Sequence, residues 1–137
     1  MAVEVASRPP RTLLCGDAAE PREDGRAVLV GGRCADCDAR AFPTPPVCTN
    51  CMGENIVAQE LPRTGTLYAF SVVHIAPKKW KLPMKIGYVD LSNGVRVFTH
   101  LEGSDFAIGD TVEVAIGAVG QDENGVLESF VFKRVPK

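Results

Sequence analysis

Cys34, Cys37, Cys48 and Cys51 fall within "CADCDARAFPTPPVCTNC", two Cys-x-x-Cys pairs separated by ten residues. No other feature of the 137-residue chain restricts its folding as tightly. A Cys-x-x-Cys turn lets both sulfurs reach one ion while nearby N–H groups offset the anionic charge. Two such turns supply the tetrahedral donor set of zinc, with Zn–S about 2.3 Å. Between the pairs, Pro43, Pro45 and Pro46 rule out a helix, so the connector is expected to be stiff and extended. The same ligands would also hold iron, and sulfurs bonded to each other would form disulfides. A complete thiolate shell leaves no position for water or substrate, so the ion is read as structural Zn2+ stapling a module too small to hold itself together. Metal binding of this kind contributes on the order of 10 kcal/mol to folding.

Whether clustered cysteines ligate or oxidise depends on the compartment. The opening "MAVEVASRPPRTLL" carries Glu4 early and lacks the apolar stretch of a signal peptide. No run of eighteen apolar residues occurs anywhere. A reducing, cytoplasmic location without membrane contact is therefore expected. With 15 Lys and Arg against 17 Asp and Glu the formal charge is -2, and a four-thiolate zinc site makes the fold more acidic still. Tracking a phosphate backbone needs a basic face, so a nucleic-acid partner is not expected.

Three regions follow from the pattern. Residues 1–25 are rich in Pro, Arg, Asp, Glu and Ala without periodicity and read as an N-terminal tail containing Cys15. Residues 26–60 form the zinc ribbon, entered by "RAVLVGGR", a short strand in which Gly31 and Gly32 are expected to let the backbone bend. Residues 61–137 are all β. "GTLYAFSVVHIAP" (65–77) alternates, with Leu67, Ala69, Ser71, Val73 and Ile75 on one face and Tyr68, Phe70, Val72 and His74 on the other. "IGYVDL" and "VRVFTHL" flank Ser92-Asn93-Gly94, a hairpin signal, and "TVEVAIGAV" and "NGVLESFVFKRV" complete the set. The fold class is mainly β: an N-terminal four-cysteine zinc ribbon followed by a five-stranded barrel of the OB type, whose closure hides strand edges.

Outside the cysteines, chemistry is sparse. Four of the five thiols are assigned to metal, and His74 and His100 both lie in expected strands, so the chain lacks a credible nucleophile and base. "APKKWKLPMKIG" places Lys78, Lys79, Lys81 and Lys85 around Trp80. Those residues suit contact with a phosphate-bearing, adenine-bearing ligand or with a protein partner; equally, the lysines serve as a solvated loop with Trp80 packed on the barrel.

A four-cysteine ribbon running directly into "GTLYAFSVVHIAP", "GYVDL…GVRVFTHLEG" and "IGDTVEV" resembles the proteins with a rubredoxin-like zinc ribbon and C-terminal OB fold that accompany acyl-CoA enzymes. The resemblance spans roughly residues 26–135 and includes "FPTPPVC", with Phe42 as the connector aromatic. It implies a non-catalytic, zinc-binding subunit of a hetero-oligomer with a thiolase-like catalytic chain, of the benzoylsuccinyl-CoA thiolase small-subunit type. Aldolases and hydratases are the other catalytic partners it implies, and aromatic, steroid or ketone-body-like degradation the setting. A CoA thioester would be the shared ligand. In that family Gly commonly follows each second cysteine; here Asp38 and Met52 stand there, with Gly53 one step late, at positions that favour positive φ. The bland alternative is a nucleic-acid-binding module, since zinc ribbons and OB folds both serve RNA and single-stranded DNA proteins, and Tyr68, Phe70 and Phe98 are available for stacking.

Overall fold

β-branched and aromatic residues at alternating positions build this molecule almost entirely from strands. The computed structural model describes residues 11–14, 18–21, 27–123 and 125–135. In chain order the strands are β1 (Arg11–Leu13), β2 (Ala19–Pro21), β3 (Ala27–Cys34), β4 (Arg40–Ala41), β5 (Ile56–Glu60), β6 (Thr64–Val73), β7 (Met84–Leu91), β8 (Arg96–Glu102), β9 (Thr111–Asp122) and β10 (Gly125–Arg134). No helix among the described residues is long and apolar enough to cross a membrane.

β6 to β10 form the expected barrel. The strands run in the order β10-β8-β7-β6-β9, and β9 pairs back onto β10, so the ring closes. The β8–β10 pairing is parallel and the others in the ring are antiparallel. Val89 and Leu91, Val97 and Leu101, Val112 and Val114, and Phe132 point inward and are buried, as strict alternation on a two-residue period requires. The hairpin at Ser92-Asn93-Gly94 joins β7 to β8, with Gly94 at φ 89°.

Alternation along 65–77 fails at two places. Leu67 sits opposite Val89 and Ala69 opposite Tyr88, leaving Tyr68 as the extra residue of a bulge. The strand also stops at Val73, opposite Met84, because β7 begins there and offers no partner further on. His74 and Ile75 therefore lie in the following loop, exposed, rather than in a strand.

The ribbon is built on β3, which pairs with β2, β4 and β5. Gly31 and Gly32 lie inside β3 and do not bend it. They admit close neighbours instead: a Cβ on Gly31 would stand 2.5 Å from the Ala41 carbonyl oxygen and 3.3 Å from Leu61 Cδ1. β5 was hidden in "IVAQE", whose burial shows no alternation, so its pairing with β3 carries no sequence signature. Within the segment read as a tail, two short stretches pair in sheets: β1 runs parallel to β10 and β2 antiparallel to β3. Edge pairing is made by backbone groups, which explains why the composition gave no sign of it. Cys15 lies outside the described residues.

One apolar cluster joins both parts. Ala27, Leu29 and Leu61 pack with Leu67, Val89, Val112 and Phe132, and Phe42 meets Phe130 edge-on at 5.5 Å between ring centroids. The ribbon thus shares the barrel's core. Gly31→Ala should lower the free energy of unfolding by about 1–3 kcal/mol, seen as a lower urea midpoint, because the added methyl has backbone on one side and Leu61 on the other. An unchanged midpoint would contradict the packing described.

Candidate metal centre and the lysine–tryptophan loop

Both Cys-x-x-Cys segments close by the same backbone bonds. Cys34 N–H donates to the Ala39 carbonyl at 2.8 Å and Asp38 N–H to the Cys34 carbonyl at 2.8 Å. Cys48 N–H donates to the Gly53 carbonyl at 2.8 Å and Met52 N–H to the Cys48 carbonyl at 3.0 Å. The residue after each second cysteine is left-handed, Asp38 at φ 68° and Met52 at φ 67°. The late Gly53 therefore does not shift the second turn; Met52 adopts the conformation itself, at a steric cost the turn's hydrogen bonds offset. Arg33 and Arg40 approach Asp38 at 3.3 and 3.6 Å, exposed pairs that orient the turn more than they stabilise it.

Together the turns bring all four sulfurs within 4.8 Å of one another. Cys34 and Cys51 sulfurs are 3.6 Å apart, and those of Cys37 and Cys48 are 3.5 Å apart. A regular tetrahedron with 2.3 Å bonds to its centre has edges of ~3.8 Å, so the set fits zinc. The separations are far beyond an S–S bond, and the four cysteines are free. Cys34 and Cys48 are buried, Cys37 is half-buried and Cys51 is exposed. Main-chain N–H groups of Asn50 and Cys51 donate to Cys48 Sγ at 3.3 and 3.4 Å. The Asn50 side chain donates to Cys37 Sγ at 3.5 Å.

These contacts pull the thiols apart electrostatically. The Asn50 side chain, then the Ala39 N–H, draw the Cys37 pKa down to about 6. The Gly53 N–H works the same way on Cys51, but the crowding sulfurs of Cys34 and Cys37 win and push it up to about 12. The opposite directions have different causes: N–H donors favour the thiolate at Cys37, and the neighbouring sulfurs disfavour a second one at Cys51, so four sulfurs this close resist full ionisation until a cation replaces the protons. The donor set would supply a closed tetrathiolate shell, giving structural cross-linking rather than Lewis-acid chemistry. Asn50 was missed from sequence because an Asn between cysteines has no spacing rule of its own.

On the barrel, the connection between β6 and β7 is fastened to β9. Lys81 N–H donates to the Val119 carbonyl at 2.9 Å and Gln121 N–H to the Lys79 carbonyl at 2.8 Å. Gly120 makes this approach available, since any side chain there would collide with the Lys79 carbonyl. Trp80 packs against Ala115, Val119, Leu127 and Val131, with Lys79 Nζ 5.2 Å from its ring centroid and His100 at 5.7 Å. Lys78, Lys79, Trp80 and Lys81 share one hollow of about 480 Å³ with Gln121. Lys85 stands apart: its ammonium donates to the Gly103 carbonyl beside a smaller hollow of about 110 Å³ that Lys81 also reaches. Burial lowers the pKa of His100, so the imidazole beside Trp80 is held neutral.

Residues 22–57 match the family model of the ChsH2 rubredoxin-like zinc ribbon domain, and residues 58–117 that of the ChsH2 C-terminal OB-fold domain. The chain belongs to this ChsH2 family. It is 37% identical over 132 residues to the benzoylsuccinyl-CoA thiolase subunit BbsA of Thauera aromatica, covering 93% of this chain and 92% of that one. Against the BbsA subunit of Geobacter metallireducens the identity is 32% over 118 residues, 84% of this chain and 80% of the relative. A solved structure described as "Ltp2-ChsH2(DUF35) aldolase" superposes with a TM-score of 0.63 at 29% identity, covering 78% of this chain and 84% of that one. Family membership places the four cysteines in the zinc ribbon that gives the domain its name.

Metal analysis should find one zinc per chain, and Cys34→Ser should abolish binding and unfold the ribbon, read as loss of metal and of amide-exchange protection in 27–60. A separate effect belongs to His100. Its folded pKa lies below the ordinary 6.5, so the unfolded chain binds the extra proton first; stability is complete above that value and falls as pH drops through the folded pKa. His100→Gln should flatten the pH dependence of the melting temperature in that acid window, and an identical slope would refute the buried neutral imidazole.

Proposed function

We propose that this chain is a non-catalytic subunit of a cytoplasmic, thiolase-type acyl-CoA acyltransferase complex, in which a larger catalytic chain carries out the chemistry. The ribbon (26–60) and the barrel (61–137) are its working parts. Near end-to-end similarity to a protein named as a thiolase subunit carries the reading. The site supports it: the described cysteines are gathered in one four-sulfur cluster, His100 is packed against Trp80, and His74 is exposed in a loop. The thioester it serves carries an aromatic acyl group, the class to which the benzoylsuccinyl-CoA in the names of both BbsA relatives belongs.

Lys78, Lys79 and Lys81 meet the phosphates of the CoA moiety, Trp80 offers the edge of its ring to the adenine, and Lys85 secures the far end of the loop. The shared hollow and the pinning of the loop at Gly120 support this, because a preorganised set of ammonium groups loses less entropy on binding. In the complex reconstituted from this chain and its thiolase-type partner, Lys78→Ala/Lys79→Ala/Lys81→Ala should raise KM for the acyl-CoA roughly tenfold, about 1.4 kcal/mol, and leave kcat nearly unchanged. An unaltered KM would remove the CoA contact. Full activity and stability of the catalytic chain alone would remove the subunit role, and tight, salt-sensitive binding of short RNA or single-stranded DNA would replace it with a nucleic-acid function.

A further inference from the structure

The outer face of β6, β7 and β8 has the wrong composition for a solvated sheet. Residues directly opposite one another across strands share a face, so Tyr88 and Phe98 stand together, as do Asp90 and Arg96, on the side away from buried Val89 and Val97. Alternation predicts polar side chains there. Instead Tyr68, Tyr88 and Phe98 are 52%, 44% and 55% exposed, presenting on the order of 300 Å² of aromatic surface. That is the scale of the apolar centre of a standard interface, about 800 Å² per partner.

The rings are held in place. Tyr88 and Phe98 lie 5.1 Å apart between centroids. Arg96 stacks 3.7 Å over Tyr68, and Asp90 accepts hydrogen bonds from its guanidinium at 2.6 and 3.1 Å. Tyr, Phe and Arg fixed before binding are the residues that dominate interface energetics, because little side-chain freedom is left to lose. Phe98 also forms a wall of an apolar hollow of about 360 Å³ with Trp80, Met84, Ile86 and Phe130. Phe130 in turn meets Phe42 of the ribbon connector edge-on, so the hollow borders the ribbon.

Resting on the subunit role above, we propose that this face is where the thiolase-type catalytic chain docks, with Tyr88 and Phe98 at its centre and an apolar side chain of the partner seated in the hollow. The neighbouring loop selects the occupant. Asp90 is committed to Arg96, and Glu102, further along β8, lies 3.9 Å from Lys133, while Lys79 and Lys81 on the adjoining loop carry the exposed ammonium groups assigned above to the CoA phosphates. The chain that acts on a thioester held there has to sit beside that loop, on this face; a second copy of this chain would set the same cations against each other. Arg96, already neutralised, gives no path for a phosphate backbone.

The test uses the two full chains, co-expressed, with the catalytic chain identified by mass spectrometry. Tyr88→Ser/Phe98→Ser changes only exposed positions and should weaken the complex on the order of 100-fold while zinc content and melting temperature stay near wild type. Phe98→Gln alone should weaken it roughly tenfold, and Ile108→Ser, an exposed apolar residue elsewhere on the barrel, should not. Undiminished assembly of the double variant overturns the surface and leaves the subunit role standing. Failure of the wild-type chains to assemble overturns both. A wild-type self-dimer, or RNA binding, that the double variant abolishes would assign the face to those occupants and overturn the proposal.

Discussion

Four sulfurs within 4.8 Å of one another repel when ionised, and only a cation among them makes the arrangement stable. Everything in the ribbon follows from meeting that condition. The segment between the cysteine pairs is proline-rich and poor in large apolar side chains, so it has little core of its own. The two turns are made alike, down to left-handed residues at Asp38 and Met52, because each must aim two sulfurs and several N–H donors at one point. A closed shell of this type trades reactivity for cross-linking, which suits a chain whose relatives are subunits of thiolases.

The ribbon is not an appendage. β3 ends at Cys34, yet its other end lies in the common apolar cluster through Ala27 and Leu29, and Phe42 from the proline connector packs on Phe130 of the barrel. Order at the metal is thereby coupled to order at β10, whose parallel contact with β8 completes the ring. The outer aromatic face begins one strand away. The four-cysteine ribbon, the shared core and the aromatic face are thus joined by packed side chains of the connector and β10.

Legibility in the sequence varied with how local the cause was. The cysteine spacing, the Asn-Gly hairpin and the alternating runs of β7 and β9 depend on neighbours a few residues away, and all were readable. β1, β2 and β5 were not, since they are strands by virtue of backbone pairing to distant edges. Gly31 and Gly32 looked like a bend and are close approaches, because what meets them, Ala41 and Ile56, is brought there only by folding. The Tyr68 bulge was likewise invisible: one extra residue in β6 is defined only against its partner β7.

By itself the sequence determined that four thiols would gather at one point and that a small β-barrel would follow, because cysteine spacing and two-residue periodicity act over short stretches of chain. Only the tertiary structure decided that Lys85 parts from the other lysines, that Trp80 lies against His100, and that Tyr88, Phe98 and Arg96 line up across strands. Those placements come from register and closure, which are properties of pairs of strands and cannot be read from either strand alone.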